Sequence, residues 1–202
     1  MKEILGVKDQ KLLKMAEKVQ SVLTELGLYK NIPEYMREHI TDTPYRIVKA
    51  WKEFTVSLGE ELVEPTSFSN PTNELVYVTD ISFNSLCCHH FFPFHGKIHI
   101  AYLPKEVLLG LSKFPRIVKH FAKRPQIQEV MVNEIADYIF EVVDPAFCMI
   151  ICKALHTCCS GRGVESHSPM IVSAIRSEEG MEKNDIKSFK DEILNTLAIS
   201  NL

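Results

Sequence analysis

Two cysteine–histidine clusters, Cys87-Cys88-His89-His90 and His156-Thr157-Cys158, constrain this chain more than any other feature, because 66 positions separate His90 from His156. A fold that uses both on one ion must bring those two segments together. Neither cluster has zinc-finger spacing. Three ligands drawn from distant segments, with spare histidines beside them, is how a catalytic zinc site is built, and such a site keeps a position for water. Cys87 and His90 lie three residues apart in a turn-prone stretch, so both can point at one metal, with Cys158 as the third donor. His89 and His156 stand beside them, and imidazoles that titrate near neutrality suit proton transfer. The other reading of these residues is a structural zinc or plain buried cysteines.

The 202 residues, 46% of them hydrophobic, suffice for one compact domain with an added arm. A net charge of -3 gives no basic balance for nucleic acid, and no apolar run is long enough to span a bilayer. The start, Met1-Lys2-Glu3-Ile4-Leu5, is too weakly apolar for a signal peptide, so the expected location is cytoplasmic. In that reducing compartment the six cysteines are metal ligands or buried apolar residues, not disulfides.

Periodicity orders the elements. Leu12, Ala16, Val19, Leu23 and Leu26 form one helical stripe, stopped by Gly27. Thr43-Pro44 opens a second helix with the stripe Ile47, Trp51 and Phe54. Residues 59–74, with Gly59, Pro65, Asn70, Pro71 and Asn73, read as an irregular connection. The expected division is therefore a helical N-terminal arm and connection, 1–74, and a main domain, 75–202.

In the main domain, Leu75–Phe83 and Lys97–Leu103 read as an antiparallel strand pair with the first cluster in its connection. Two helices follow. Ser112 is placed to cap the first, and Pro125 ends it and opens the next. Ala146–Leu155 and Met170–Arg176 are strands, and Ile186, Phe189, Ile193 and Leu197 mark a last helix. Strands grouped around a helical pair predict an α+β domain with a four-stranded antiparallel sheet. Such a sheet has two open edges and one bare face, so an oligomer is expected.

Residues 110–129 carry a second signal. Ser112, Lys113 and Arg116 at a helix start, with Arg162 in a Gly-Arg-Gly turn, favour a phosphate or form a solvated basic face. Gln128 and Glu129 open the next helix. A carboxylate there accepts two hydrogen bonds from the N–H edge of a guanine-like ring, or is an ordinary first-turn acid.

Together these stretches resemble the GTP cyclohydrolase I family. The family pattern is Cys-Glu-His-His with a following turn, then a His-x-Ala-Tyr-Ile-Pro-like strand and Gly-Leu-Ser-Lys. This chain has Cys87-Cys88-His89-His90, His99-Ile100-Ala101-Tyr102-Leu103-Pro104 and Gly110-Leu111-Ser112-Lys113. Arg116-Ile117-Val118, Arg124-Pro125-Gln126-Ile127-Gln128-Glu129, His156-Thr157-Cys158 and Arg162-Gly163-Val164 also match, as does Thr43-Pro44-Tyr45-Arg46 upstream.

The resemblance implies a tunnelling fold, with two helices on one face of an antiparallel sheet, assembled as a homodecamer. It implies conversion of GTP and water to 7,8-dihydroneopterin triphosphate and formate. Carried over, Cys87, His90 and Cys158 hold zinc, which activates the water that attacks C8 of guanine. His89 protonates the imidazole ring of the base, and His156 helps open the ribose and moves protons in the later rearrangement. Glu129, with Gln128, anchors the guanine edge. Ser112, Lys113, Arg116 and Arg162 face ribose and triphosphate, in a pocket shared between neighbouring subunits. The chain departs from the pattern in three places: Cys88 replaces a Glu, Val130-Met131-Val132 replaces Arg-Leu-Thr, and Ser168–Ser173 replaces a threonine-rich stretch. Cys88 motivates the alternative of a weakly active or regulatory homologue that binds zinc and nucleotide.

Overall fold

The computed structural model describes residues 9–30, 32–62, 66–72 and 74–199. The chain start, Met1–Leu5, and Pro65 and Asn73 of the connection lie outside the described residues. The chain divides into two compact units, Met1–Val56 and Ser57–Leu202.

The first unit is helical: α1 (Gln10–Glu25), α2 (Glu34–Ile40) and α3 (Thr43–Phe54). Asp9 caps α1 by accepting a 2.8 Å hydrogen bond from the Lys11 amide. Leu12 and Ala16 of α1 bury against Val48 of α3, with Val19 and Tyr45 beside them. The expected stripe on α3 is displaced by one residue. Pro44 and Val48 are buried, while Trp51 is 41% exposed. The face toward α1 is the four-residue row 44–48, and the row 47–51 lies beside it. The far half of the α1 stripe also stays out of this core, with Leu26 76% exposed. The short helix α2 carries no buried residue, which is why no apolar period announced it.

The second unit contains β1 (Ser67–Ser69), β2 (Val76–Cys87), β3 (Pro93–Leu103), β4 (Val107–Leu109), α4 (Lys113–Ala122), β5 (Pro125–Gln126), α5 (Gln128–Val143), β6 (Phe147–His156), α6 (Thr157–Ser160), β7 (Met170–Ser177) and α7 (Lys183–Ile199). It is α+β. The main sheet runs β5-β2-β3-β6-β7, and its four long strands are antiparallel neighbours as expected. The fifth strand is an addition: two residues of β5 pair in parallel with the end of β2. Pro125 thus belongs to a strand between the two helices and does not open the second one. Part of the connection joins this unit, because β1 pairs with β4 and the Asn70 amide donates to the Glu106 carbonyl.

Helices α4 and α5 cover one sheet face. Phe114, Ile117, Val118 and Phe121 of α4 meet Ile98, Ile100 and Tyr102 of β3 and Ile150 of β6 in one apolar cluster. Each large side chain so buried stabilises the fold by about 1.5–3 kcal/mol. The opposite face is not wholly bare. Ile193 and Leu197 of α7 pack on Ala101, Phe147, Met149 and Ile151. Strand β6 is therefore apolar on both sides, which explains its unbroken hydrophobic run.

A bulge in β2 adjusts the pattern on the first face. Val78 pairs with Ile100 and Ile81 with Ile98, so two residues oppose His99 alone. Asp80 takes φ 59 there, and its amide donates to His99 Nδ1 at 3.3 Å. The extra residue lets Val78 and Ile81 face the same core despite their odd spacing.

Candidate metal centre and active site

Strand order closes the gap between the two clusters. Cys87 is the last residue of β2, and His156 the last of β6. Strand β3 lies between them, pairing its start with both: Pro93 opposite Leu86, and Phe94 opposite His156. The Cys87 amide donates to the Phe92 carbonyl and the Phe91 amide to the Cys87 carbonyl, both at 2.9 Å, so residues 88–91 form a tight turn. Phe91 adopts φ 54 within it. Across β3, the Thr157 hydroxyl donates to the Pro93 carbonyl at 2.5 Å, fixing the start of α6 and with it Cys158.

The ligand atoms of Cys87, His90 and Cys158 all lie within 4.8 Å of one another. Cys87 Sγ and His90 Nδ1 are 4.0 Å apart. Bonds of roughly 2.0 Å to nitrogen and 2.3 Å to sulfur place two donors on one tetrahedral zinc about 3.6 Å apart, so small adjustments would admit the ion. The donor chemistry fits as well. Burial pushes the Cys158 thiol up to about 11, and the adjacent Cys87 sulfur acts in the same direction. A thiol whose ionisation is opposed in this way becomes a stable thiolate when a cation sits beside it. Cys87 and Cys158 are buried and His90 is exposed, which leaves one side of the triad accessible.

The neighbouring residues divide clearly. His89 Nδ1 lies 3.7 Å from Cys87 Sγ, beside the triad. Cys88 is half-buried, and its amide donates to the Gln126 carbonyl. Cys159 is exposed, 4.0 Å from Cys158 through sulfur, and stands outside the triad. Cys148 and Cys152 are core residues whose thiols burial pushes up to about 12.

His156 is held on two sides. Its ring stacks on Phe94, with centroids 4.5 Å apart and planes 5° from parallel. Its Nε2 lies 2.8 Å from Gln128 Oε1. Gln128 is buried, and its amide nitrogen donates to the carbonyls of Cys152 and Met170, each at 3.2 Å. Those two carbonyls fix which end of the amide faces the imidazole. An oxygen there requires His156 Nε2 to carry the proton, so Nδ1 bears the lone pair. Desolvation holds the His156 pKa below its ordinary value, partly opposed by Glu129. Glu129 itself is exposed in the first turn of α5. Gln128 therefore faces inward and Glu129 outward, a division that adjacency in sequence does not reveal.

The basic residues do not all gather at this end. Arg162 follows α6, the short helix that carries Cys158, and stands next to Gly163 at φ +64. Ser112, Lys113 and Arg116 belong to the start of α4, where Phe114 packs on Tyr102, ring centroids 5.6 Å apart. Tyr102 is eight residues along β3 from Phe94, about 26 Å at 3.3 Å per residue. Ser112 sits at the cap position, though its side chain makes no capping bond, and it and Arg116 are exposed. One chain thus carries the triad at one end of its sheet and these three residues toward the other. Phe94, Thr157 and Gln126 also support the site; Thr157 and Gln126 lie within the quoted motifs, but an apolar stack and bonds to backbone carbonyls leave no spacing signature of that supporting role.

A sheet of antiparallel long strands with paired helices on one face, and a triad of two cysteines and one histidine where its central strands end, define an α+β protein with a candidate metal centre. Comparison with known proteins gives the family. Residues 15–196 match GTP cyclohydrolase I, and the chain belongs to that family. It is similar to GTP cyclohydrolase 1 of Wolinella succinogenes, 35% identical over 184 residues covering 89% of this chain and 94% of that one. It is 42% identical over 159 residues to GTP cyclohydrolase 1 of Aquifex aeolicus, covering 78% and 84% of the two chains. With GTP cyclohydrolase 1 of Bacillus subtilis the identity is 40% over 171 residues, covering 83% and 86%.

Proposed function

We propose that this chain is a zinc-dependent GTP cyclohydrolase I. It hydrolytically opens the imidazole ring of guanine in GTP, and the product is 7,8-dihydroneopterin triphosphate, with formate released. The observation that carries this reading is the triad Cys87, His90 and Cys158 beside a His156 held in one tautomer by Gln128. Zinc, when bound, supplies a Lewis acid that lets a water molecule ionise near neutral pH.

The chain's own groups do the rest. Glu129 accepts two hydrogen bonds from the N–H edge of guanine. Gln128, already engaged inside the chain, contributes by orienting His156. His89, beside the triad, gives a proton to the imidazole ring of the base. His156 exchanges a proton through Nδ1 as the ribose opens and the carbon skeleton rearranges. Arg162 reaches the phosphates from the triad's own chain, and Ser112, Lys113 and Arg116 reach them from a neighbouring copy.

The need for a second copy supports a homo-oligomer, in this reading a decamer. The edges of the sheet agree: β5 covers only Leu86 and Cys87 of β2, and Ile171 on the edge strand β7 is 64% exposed. Leu26 on α1 adds apolar surface for helices to pack between copies. Free thiols that serve as ligands persist best in a reducing compartment, which supports a cytoplasmic setting for the working protein. Among the described residues, no helix is long and apolar enough to cross a membrane.

The test is direct. Zinc-loaded protein incubated with GTP should release formate and yield a pterin that fluoresces after oxidation. If neither product forms, the assignment as a cyclohydrolase is wrong. Cys88, standing where the family pattern has Glu, favours one second reading: a homologue that binds zinc and nucleotide but turns over slowly. GTP binding without formate, with turnover raised by Cys88→Glu, is the result that would support it.

A further inference from the structure

We infer that Glu134, on α5, is a positioning residue that holds metal ligand Cys87 in place through the Arg124-Pro125-Gln126 segment. The inference rests on the reading of Cys87, His90 and Cys158 as a zinc site.

The argument starts from the weakness of β5. It has two residues, one of them proline, against a usual strand length of about five or six. Yet it is the only strand on that side of Cys87 among the described residues, pairing Pro125 with Leu86 and Gln126 with Cys87. Beyond the ladder itself, two further bonds join the segments around this pairing: the Cys88 amide donates to the Gln126 carbonyl at 3.0 Å, and the Ser85 hydroxyl to the Arg124 carbonyl at 3.2 Å. A strand so short cannot fix its own position, so side-chain anchors must do it.

Those anchors converge on one carboxylate oxygen. Glu134 Oε2 accepts from Arg124 Nη2 at 2.7 Å and from Gln126 Nε2 at 2.8 Å. The Gln126 nitrogen also donates to the Phe121 carbonyl at 2.9 Å, and the Arg124 guanidinium lies 5.0 Å over the Phe121 ring. Both residues flanking Pro125 are thus clamped to the helix layer. Gln126 is buried, so its unmade bonds would have no water to replace them. The chain of contact runs from Glu134 to Gln126, from the Gln126 carbonyl to the Cys88 amide, and so to the bond adjoining Cys87. Glu134 itself makes no contact with the triad.

Partners that orient metal ligands typically affect metal affinity by 10–100-fold, and Glu134 acts at the low end of that range because it works through the backbone. Glu134→Ala should therefore weaken zinc binding about tenfold. Glu134→Gln keeps an acceptor for both donors and should recover most of the loss. Gln126→Met, which removes the donor at similar volume, should resemble Glu134→Ala. The experiment uses the full-length zinc-loaded oligomer of each variant, with zinc release to a chromophoric chelator as the readout and melting temperature measured alongside. Faster release from Glu134→Ala and Gln126→Met, rescued in Glu134→Gln, supports the inference. Should Glu134→Ala fail to fold, the other two variants decide. Lower melting temperatures with wild-type release rates would overturn it, leaving Glu134 as a fold-stabilising residue only. A wild-type protein that holds no zinc would overturn the metal reading itself and this inference with it.

Discussion

Gln128 Oε1 meets His156 Nε2 at 2.8 Å, and the buried amide faces that way because its nitrogen is committed to the carbonyls of Cys152 and Met170. The first residue of α5 thereby selects the tautomer of a histidine that closes β6. In Gln128→Leu the imidazole loses its fixed proton and gains freedom to turn. General acid–base groups are worth about 10²–10⁴ in rate, so a fall in kcat of about 100-fold is expected, with zinc content unchanged. Steady-state kinetics beside metal analysis checks this. Wild-type kcat in the variant would show that His156 needs no such support.

Cys87→Ala, His90→Ala and Cys158→Ala should each lose bound zinc, since a triad stripped of one donor cannot hold the ion. His89→Ala should keep the metal and lose turnover. Metal content per folded subunit separates the two classes. A residue whose alanine variant retains full zinc is not a ligand.

The separation of the triad from the start of α4 gives a complementation test. Arg116→Ala and His156→Ala should each be inactive alone. Co-assembled in one oligomer, they should regain activity, because about a quarter of sites combine two intact halves when subunits mix at random. Mixed oligomers as inactive as their parents would mean that both residues serve one site from one chain.

Gly96 is fixed by the approach of two strands. A Cβ there would stand 2.0 Å from the Lys153 carbonyl oxygen and 2.7 Å from Ala154 Cα, both backbone atoms of β6. Gly96→Val should therefore cost about 3 kcal/mol or more, at the upper end of overpacking penalties. Denaturant unfolding measures it. A midpoint within error of wild type would show that β3 and β6 can separate at that point without penalty.

Stability should fall on mild acidification. Burial holds the His99 pKa below its ordinary 6.5, with Lys97 and Lys153 acting in the same direction and Asp80 opposing. His120 and His156 are lowered as well, each chiefly by desolvation. A histidine with a depressed folded pKa binds its proton more readily when unfolded. Its contribution is thus intact above about pH 6.5 and is lost as pH falls from there toward the folded value. His99→Asn, which can still accept from the Asp80 amide, should flatten that part of the profile. Melting temperature against pH is the measurement, and an unchanged slope would mean that His99 does not titrate on unfolding.

Much of the fold was legible because its signals are local. Stripes and alternation found α1, α4, α5 and α7 and the four long strands, and Gly27 and Pro125 marked real breaks. What escaped notice depends on contact between distant segments. Strand β5 exists because Arg124 and Gln126 are anchored to Glu134, and the bulge at Asp80 because His99 accepts its amide. The row 44–48 of α3 is buried because α1 lies against it, and α7 covers the second sheet face because Ile193 and Leu197 find Phe147 and Met149 there. Periodicity does not say which partner a stripe will meet.

The sequence by itself determined the candidate donors and the order in which they come: two cysteines, one imidazole and two spare histidines, residue types that do not depend on the fold. Only the tertiary structure decided that Gln128 turns inward to His156 while Glu129 stays exposed, and that α4 begins far from the triad of its own chain. The physical reason is that a strand order and an amide's orientation are set by hydrogen bonds between segments far apart in sequence, here β3 between β2 and β6 and two carbonyls on β6 and β7.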